Sequence, residues 1–323
     1  MIAKLISILS MLASGMSVIA AGWERLAPLP EPNAGCVAGT VGDDVIVLGG
    51  TNWRDDTKHW LKAVWRYDSA TKTWRSAGEL PNAIAYAPTA QSGDGFYFAG
   101  GSDGTVSHRS LQMVDAKLQV RTVARLDAPV IYTFATFAGG RFYFAGGGTD
   151  PADLSTWGNS FRSVEPATGR ITALPVYPGG RVAHVVLVSA DEDLFAFTGA
   201  AFDAAKKEVV NSNAAFVFSL KTQLWRPAKA FPFSVRGLSG MNLDGRHIYL
   251  AGGYKNDAEE FTADAFIYDI ATGRYIAAPS LPYRAMVSLV KCGEWLYCLG
   301  GEDRKKHRTD AAFRIRWREL LPR

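Results

Sequence analysis

One short pattern recurs six times along the chain, at intervals of roughly 50 residues. An apolar run ends in a glycine pair, as in Val45-Ile46-Val47-Leu48-Gly49-Gly50, Phe96 to Gly101 and Phe142 to Gly147. It returns as Leu194 to Ala200, His247 to Gly253 and Trp295 to Gly301. After each comes a loop of variable length and a second run ending in an aromatic or acidic residue. Trp or a substitute follows six residues later. A fixed period of this size requires small sheets stacked around an axis, and such arrays place their function on one face.

The repeat overrides the two domains that 323 residues would suggest by length alone. An apolar content of 48% is enough for a continuous core, and a net charge of only +4 gives no nucleic-acid surface. The first 22 residues read as a secretory leader: Lys4, an apolar stretch from Leu5 to Ile19, and small residues at Ala20, Ala21 and Gly22. The apolar stretch is short for a membrane span and is interrupted by Ser and Gly, with an uncleaved anchor as the alternative reading. The expectation is an exported protein, periplasmic or secreted, with no membrane span once the leader is removed. Cys36, Cys292 and Cys298 are an odd set that cannot be fully paired. They read as buried small apolar residues, with one disulfide left open.

Each repeat reads as four antiparallel strands. In the first, Ser69-Ala70-Thr71-Lys72 supplies the turn between Val64–Asp68 and a strand beginning near Trp74. The blades are expected at 33–78, 82–126, 130–175, 181–231, 236–282 and 284–323. The sixth lacks a fourth strand, and residues 23–30 match Trp74 to Pro81 in pattern. We expect them to complete blade 6 and close the ring, leaving only short strand edges. The doubled glycine, the Tyr-Asp pair and the Trp six residues after the Asp resemble the kelch motif. That resemblance implies an all-β, six-bladed β-propeller over residues 23–323.

In an antiparallel blade, the entry to the first strand and the loop from second to third open on the same face. Arg236 and Arg284 each lie 16 residues before the first glycine of their repeat, and Asn33 holds that offset in blade 1. Arg181 lies 18 residues before Gly199. These four are candidate substrate-binding residues, since guanidinium groups on adjacent blades suit a carboxylate or phosphate. The alternative is that each arginine pins a loop by bonding backbone carbonyls. In the last repeat, Glu302 leaves the second strand and Arg308 precedes the third. A hairpin-like loop brings them together, and a carboxylate there can accept a proton from a sugar hydroxyl. A plain surface ion pair is the competing reading. Trp53 and Trp157, on other loops of this face, could stack on a sugar or serve as packing lids.

Glu302, five residues, then Arg308-Thr309-Asp310-Ala311 and an apolar strand resembles the sialic-acid mutarotase (N-acetylneuraminate epimerase) family. Arg284-Ala285 resembles an Arg-Ala at a strand start in the same family. The resemblance implies Glu302 as the catalytic acid/base and Arg308 as the residue orienting or polarising substrate. It also implies a carboxylated small-molecule sugar as substrate and no cofactor. No His/Cys spacing suits a metal, and the scattered histidines do not fit the copper site of galactose oxidase, another kelch protein. The rival expectation is a non-catalytic propeller that binds a glycan or protein on the loop face.

Overall fold

The computed structural model describes residues 22–93 and 95–322. The leader expected over residues 1–22 lies, but for Gly22, outside the described residues. Second strands are buried on both faces, which is why they read as continuous apolar runs. In Asp44–Leu48, Val45 and Val47 pack with Tyr297 and Leu299 of the last blade, while Ile46 and Leu48 pack with Phe96 and Phe98 of the next. A sheet with two buried faces needs a sheet on either side, and a ring satisfies that for every blade.

Among the described residues there are six four-stranded antiparallel sheets, a six-bladed β-propeller. The first strands touch their neighbours all the way around the axis: Val37–Val41, Thr89–Ser92, Ala135–Ala138, Val186–Ala190, Ser239–Asn242 and Met286–Cys292. Fourth strands such as Thr73–Glu79 lie outermost and are largely exposed. The ring closes as the sequence predicts. Glu24–Arg25 pairs with Ala312–Arg316 in register Glu24↔Arg314, giving blade 6 its fourth strand.

The repeated residues have distinct jobs. Asp68 Oδ1 accepts from the backbone N–H groups of Ala70 and Thr71 at 3.0 and 2.9 Å, fixing the turn into the fourth strand. Asp269 does the same for Ala271, and its carboxylate takes a forked bond from Arg246 at 3.0 and 2.8 Å. That guanidinium holds Asp269 well below the usual carboxylate range. The aromatic six residues on clasps the preceding blade. Trp74 Nε1 donates to Ala27 O, Trp225 Nε1 to Pro175 O and the Tyr275 hydroxyl to Lys229 O. Trp23 completes the series by donating to Ser280 O at 2.9 Å. At the glycine pair, Gly49 and Gly50 have φ of 63° and 103°, and Gly50 N–H donates to Ile84 O of the next blade at 2.7 Å. A Cβ on Gly49 would overlap that same carbonyl.

Three loops hold more structure than the sequence suggests. Thr51–Arg54 and Thr57–Trp60 form a small hairpin in blade 1, and Tyr254–Asn256 with Glu260–Phe261 form another in blade 5. In blade 4 the second and third strands run on as Asp193–Asp203 and Glu208–Ser219, where a loop was expected. All three cysteines are free. Cys292 and Cys298 are buried, while Cys36 is half-buried with Sγ 3.4 Å from Ser288 Oγ. No described helix is long and apolar enough to cross a membrane.

Candidate functional site

The residue after each glycine pair lies at one end of the central channel. In blade order these residues are Thr51, Ser102, Gly148, Ala200, Tyr254 and Glu302. Each pairs with the residue leading into its own first strand: Ala34↔Thr51, Ala85↔Ser102, Ile131↔Gly148, Ala183↔Ala200, Arg236↔Tyr254 and Met286↔Glu302. Glu302 is thus one blade's version of a slot present in all six, and the only carboxylate among those six residues.

The hairpin beyond the slot returns a partner across the strands: Trp60 opposite Thr51, Ser107 opposite Ser102 and Phe261 opposite Tyr254. In blade 6 the returning chain is fixed by Thr309 N–H donating to Gly301 O at 3.0 Å, so the residue before it, Arg308, faces Glu302. Arg308 Nη1 lies 3.1 Å from Glu302 Oε1. The Arg308 side chain is 5% exposed and that of Glu302 23%, so the pair is not a solvated surface contact. Arg308 is also held by His307 O at 3.1 Å and reaches Thr51 Oγ1 across the blade boundary. Thr51 Oγ1 in turn lies 3.2 Å from the Tyr86 hydroxyl.

Glu302 and Arg308 form part of the lining of a cavity of about 370 Å³ along the ring axis. Its walls come from all six first strands and are mostly small or apolar, among them Ala38, Ala90, Ala135, Val186, Met241 and Leu289. Tyr86, Tyr132 and His184 line the same cavity. Burial, then the neighbouring Tyr86, pushes the Tyr132 hydroxyl well above its ordinary value, against the pull of Arg308. Burial, helped by the Arg236 charge, lowers His184 to about 4, so its ring is neutral at pH 7.

The four candidate substrate-binding residues do not converge here. Arg181 is exposed, and its Nη2 donates to Ser155 O at 2.8 Å, the loop-pinning role. Arg284 is exposed as well. Asn33 is 2% exposed, with its side chain donating to Gly49 O and its backbone bonded to Thr309 O and Gly301 N. It joins blades 6 and 1 and does not line the cavity. Arg236 comes nearest: it bonds Asn211 Oδ1 at 3.1 Å, lies 4.2 Å over the Tyr254 ring, and is felt electrostatically by His184. The shared offset of 16 misleads because first hairpins differ in length. Gly50, Gly101, Gly147, Gly253 and Gly301 donate to Ile84, Val130, Val182, Ala285 and Asn33. Asn33 is therefore equivalent to Ala285, not to Arg284. The three cavity-lining rings Tyr86, Tyr132 and His184 were missed from sequence; aligning the repeats on their glycines would have brought them into one column.

Among the described residues, no group of three or more His, Cys, Asp or Glu side chains is placed to hold a metal ion.

The Kelch motif family profile matches residues 32–81, which span the whole first blade. With its six sheets, the chain is a kelch-repeat β-propeller. It resembles the sialic-acid mutarotases. N-acetylneuraminate epimerases from Brucella suis and Brucella melitensis biotype 1 are each 33% identical to it over 107 residues. The match covers 26% of this chain and 27% of the length of those proteins.

Proposed function

We propose that this protein is an exported mutarotase that interconverts the anomers of a sialic-acid-like sugar by acid/base ring opening. The observation that carries the reading is the largely buried Glu302–Arg308 pair at the mouth of a sugar-sized cavity. The partial likeness to N-acetylneuraminate epimerases supports the sugar, and the leader read at residues 1–22 supports export. Glu302 takes the proton of the anomeric hydroxyl while a solvent water gives one to the ring oxygen, and the hydroxide left behind recovers that proton when the ring recloses. The bond from the anomeric carbon to the ring oxygen breaks, leaving an open-chain carbonyl. After rotation the hydroxyl adds to the other face and Glu302 returns its proton, so no net proton is consumed. Arg308 stays paired to one carboxylate oxygen and orients the other, and its charge draws the substrate carboxylate to the mouth.

The test is proton NMR of freshly dissolved N-acetylneuraminic acid, following anomeric equilibration with and without the protein. Acceleration that falls at least 100-fold in Glu302→Gln is expected. Acceleration that survives the substitution removes Glu302 from the mechanism. Binding without acceleration makes the protein a sugar-binding propeller instead.

A further inference from the structure

Five blades enter their first strand through a residue in the left-handed region: Gly35, Tyr86, Tyr132, His184 and Gly237, with φ of 67°, 61°, 57°, 59° and 65°. Blade 6 has no left-handed residue there; Met286 instead runs directly into the strand. Glycine takes this conformation freely, whereas a residue with a Cβ is strained in it. Blades 1 and 5 use glycine. Blades 2, 3 and 4 accept the strain and carry a ring side chain at this slot, on three consecutive blades.

The three rings form one continuous surface. Tyr86 and Tyr132 centroids are 4.6 Å apart at 49°, and Tyr132 and His184 are 5.5 Å apart at 34°. Two tryptophans brace the ends edge-on: Trp60 against Tyr86 at 5.5 Å and Trp157 against His184 at 6.0 Å. The backbone beneath is tied blade to blade. Tyr86 N–H donates to Gly35 O, Tyr132 N–H to Tyr86 O and His184 N–H to Tyr132 O, at 2.8, 3.1 and 2.6 Å. Tyr132 and His184 are neutral at pH 7, Lys58 Nζ lies 4.7 Å over the Tyr86 ring, and all three rings line the same cavity as Glu302 and Arg308.

We infer that Tyr86, Tyr132 and His184 form a stacking wall that seats the apolar face of a closed pyranose ring beside Glu302, and that this wall sets sugar specificity. The inference builds on the proposed mutarotase reading and adds how the ring is held. A pyranose presents axial C–H groups on one face, and aromatic faces with their negative quadrupole receive such groups well. Hydroxyls then project from the ring edge toward the ion pair. The space beside Gly35 is filled by the Tyr86 ring and that beside Gly237 by Met286, so the wall is continued on both flanks by side chains of the next blade.

The experiment uses methyl glycosides, whose anomeric centre is locked, so that binding is read without turnover. Saturation-transfer NMR and calorimetry are run with the methyl glycoside of N-acetylneuraminic acid, methyl glucoside and the methyl glycoside of N-acetylglucosamine. At least one should bind with its ring protons saturated. Tyr132→Leu should weaken that binding tenfold or more, and Tyr132→Phe should restore it to within twofold. Tyr132→Gly should also lose binding but show a higher Tm than Tyr132→Ala, because only glycine relieves the left-handed strain. A structural role alone would not give that split. If only a neutral pyranoside binds, with the same Tyr132 dependence, the wall stands and the carboxylated sugar falls. If Tyr132→Leu binds as the parent does, or no pyranoside binds, the wall proposal is overturned.

Discussion

Blades 1 and 6 are neighbours with the same hairpin base, yet they fill it with opposite chemistry. Blade 1 sets Thr51 against Trp60 and closes the slot with an indole. Blade 6 sets Glu302 against Arg308 and closes it with an ion pair that faces the channel. The backbone around both slots is alike, with a left-handed glycine pair before them and a returning N–H bond after. Chemistry on this ring is therefore a matter of which two side chains occupy one cross-strand slot, not of a special loop fold.

That comparison can be broken most sharply at the slot itself. Glu302→Leu leaves the 5%-exposed Arg308 without its counter-charge. It should cost about 2 kcal/mol in urea unfolding, less than a fully buried pair because Glu302 retains some contact with water. Importing blade 1's pair, Glu302→Thr with Arg308→Trp, should recover most of that stability while abolishing anomer exchange. A double variant no more stable than the single would show that the two slots are not interchangeable.

The next effect separates the channel mouth from the rim. The fold holds His184 neutral down to about 4, so the unfolded chain takes up that proton first as pH falls below 6.5. Stability attributable to this residue is intact above 6.5, declines through the interval and is lost below about 4. The loss should be about 1.5 kcal/mol, less than a fully buried ring would give because His184 lines an open cavity. His184→Gln should flatten unfolding midpoints measured from pH 7 to pH 4. A profile unchanged by the substitution would reject the assignment.

At the outer edge, Trp74→Phe keeps the ring but deletes the donor to Ala27 O, at a cost of about 1 kcal/mol by thermal unfolding. A larger cost would mean that the indole itself packs the seam. Smallest of all, Arg181→Ala and Arg284→Ala should each change stability by less than about 0.5 kcal/mol. Anomer exchange should stay within twofold. A tenfold loss at either would return that arginine to the site.

The sequence declares the outer architecture and hides part of the inner one, for a physical reason. Glycine pairs, turn aspartates and clasping aromatics each solve a local problem that recurs in every blade, so repetition exposes them. The Trp23-to-Ser280 clasp was foreshadowed by the match between residues 23–30 and 74–81. Glu302 and Arg308 were readable because one hairpin holds both. Arg236 and Arg284 share an offset but not a position, since the turn from Asn242 to His247 is longer than that from Cys292 to Trp295. Tyr86, Tyr132 and His184 were obscured because they come together only when separate blades meet at the axis.

Glu24 pairs with Arg314 across 290 residues of chain. Such a loop is entropically the slowest kind of contact to make. Blade 6 is therefore the last sheet that can be completed, and it is the sheet that carries Glu302 and Arg308. Five blades can be in place while the sixth still lacks its outer strand. The Glu302–Arg308 pair thus doubles as a report of assembly: a ring that has not locked is also a ring without a finished cavity mouth.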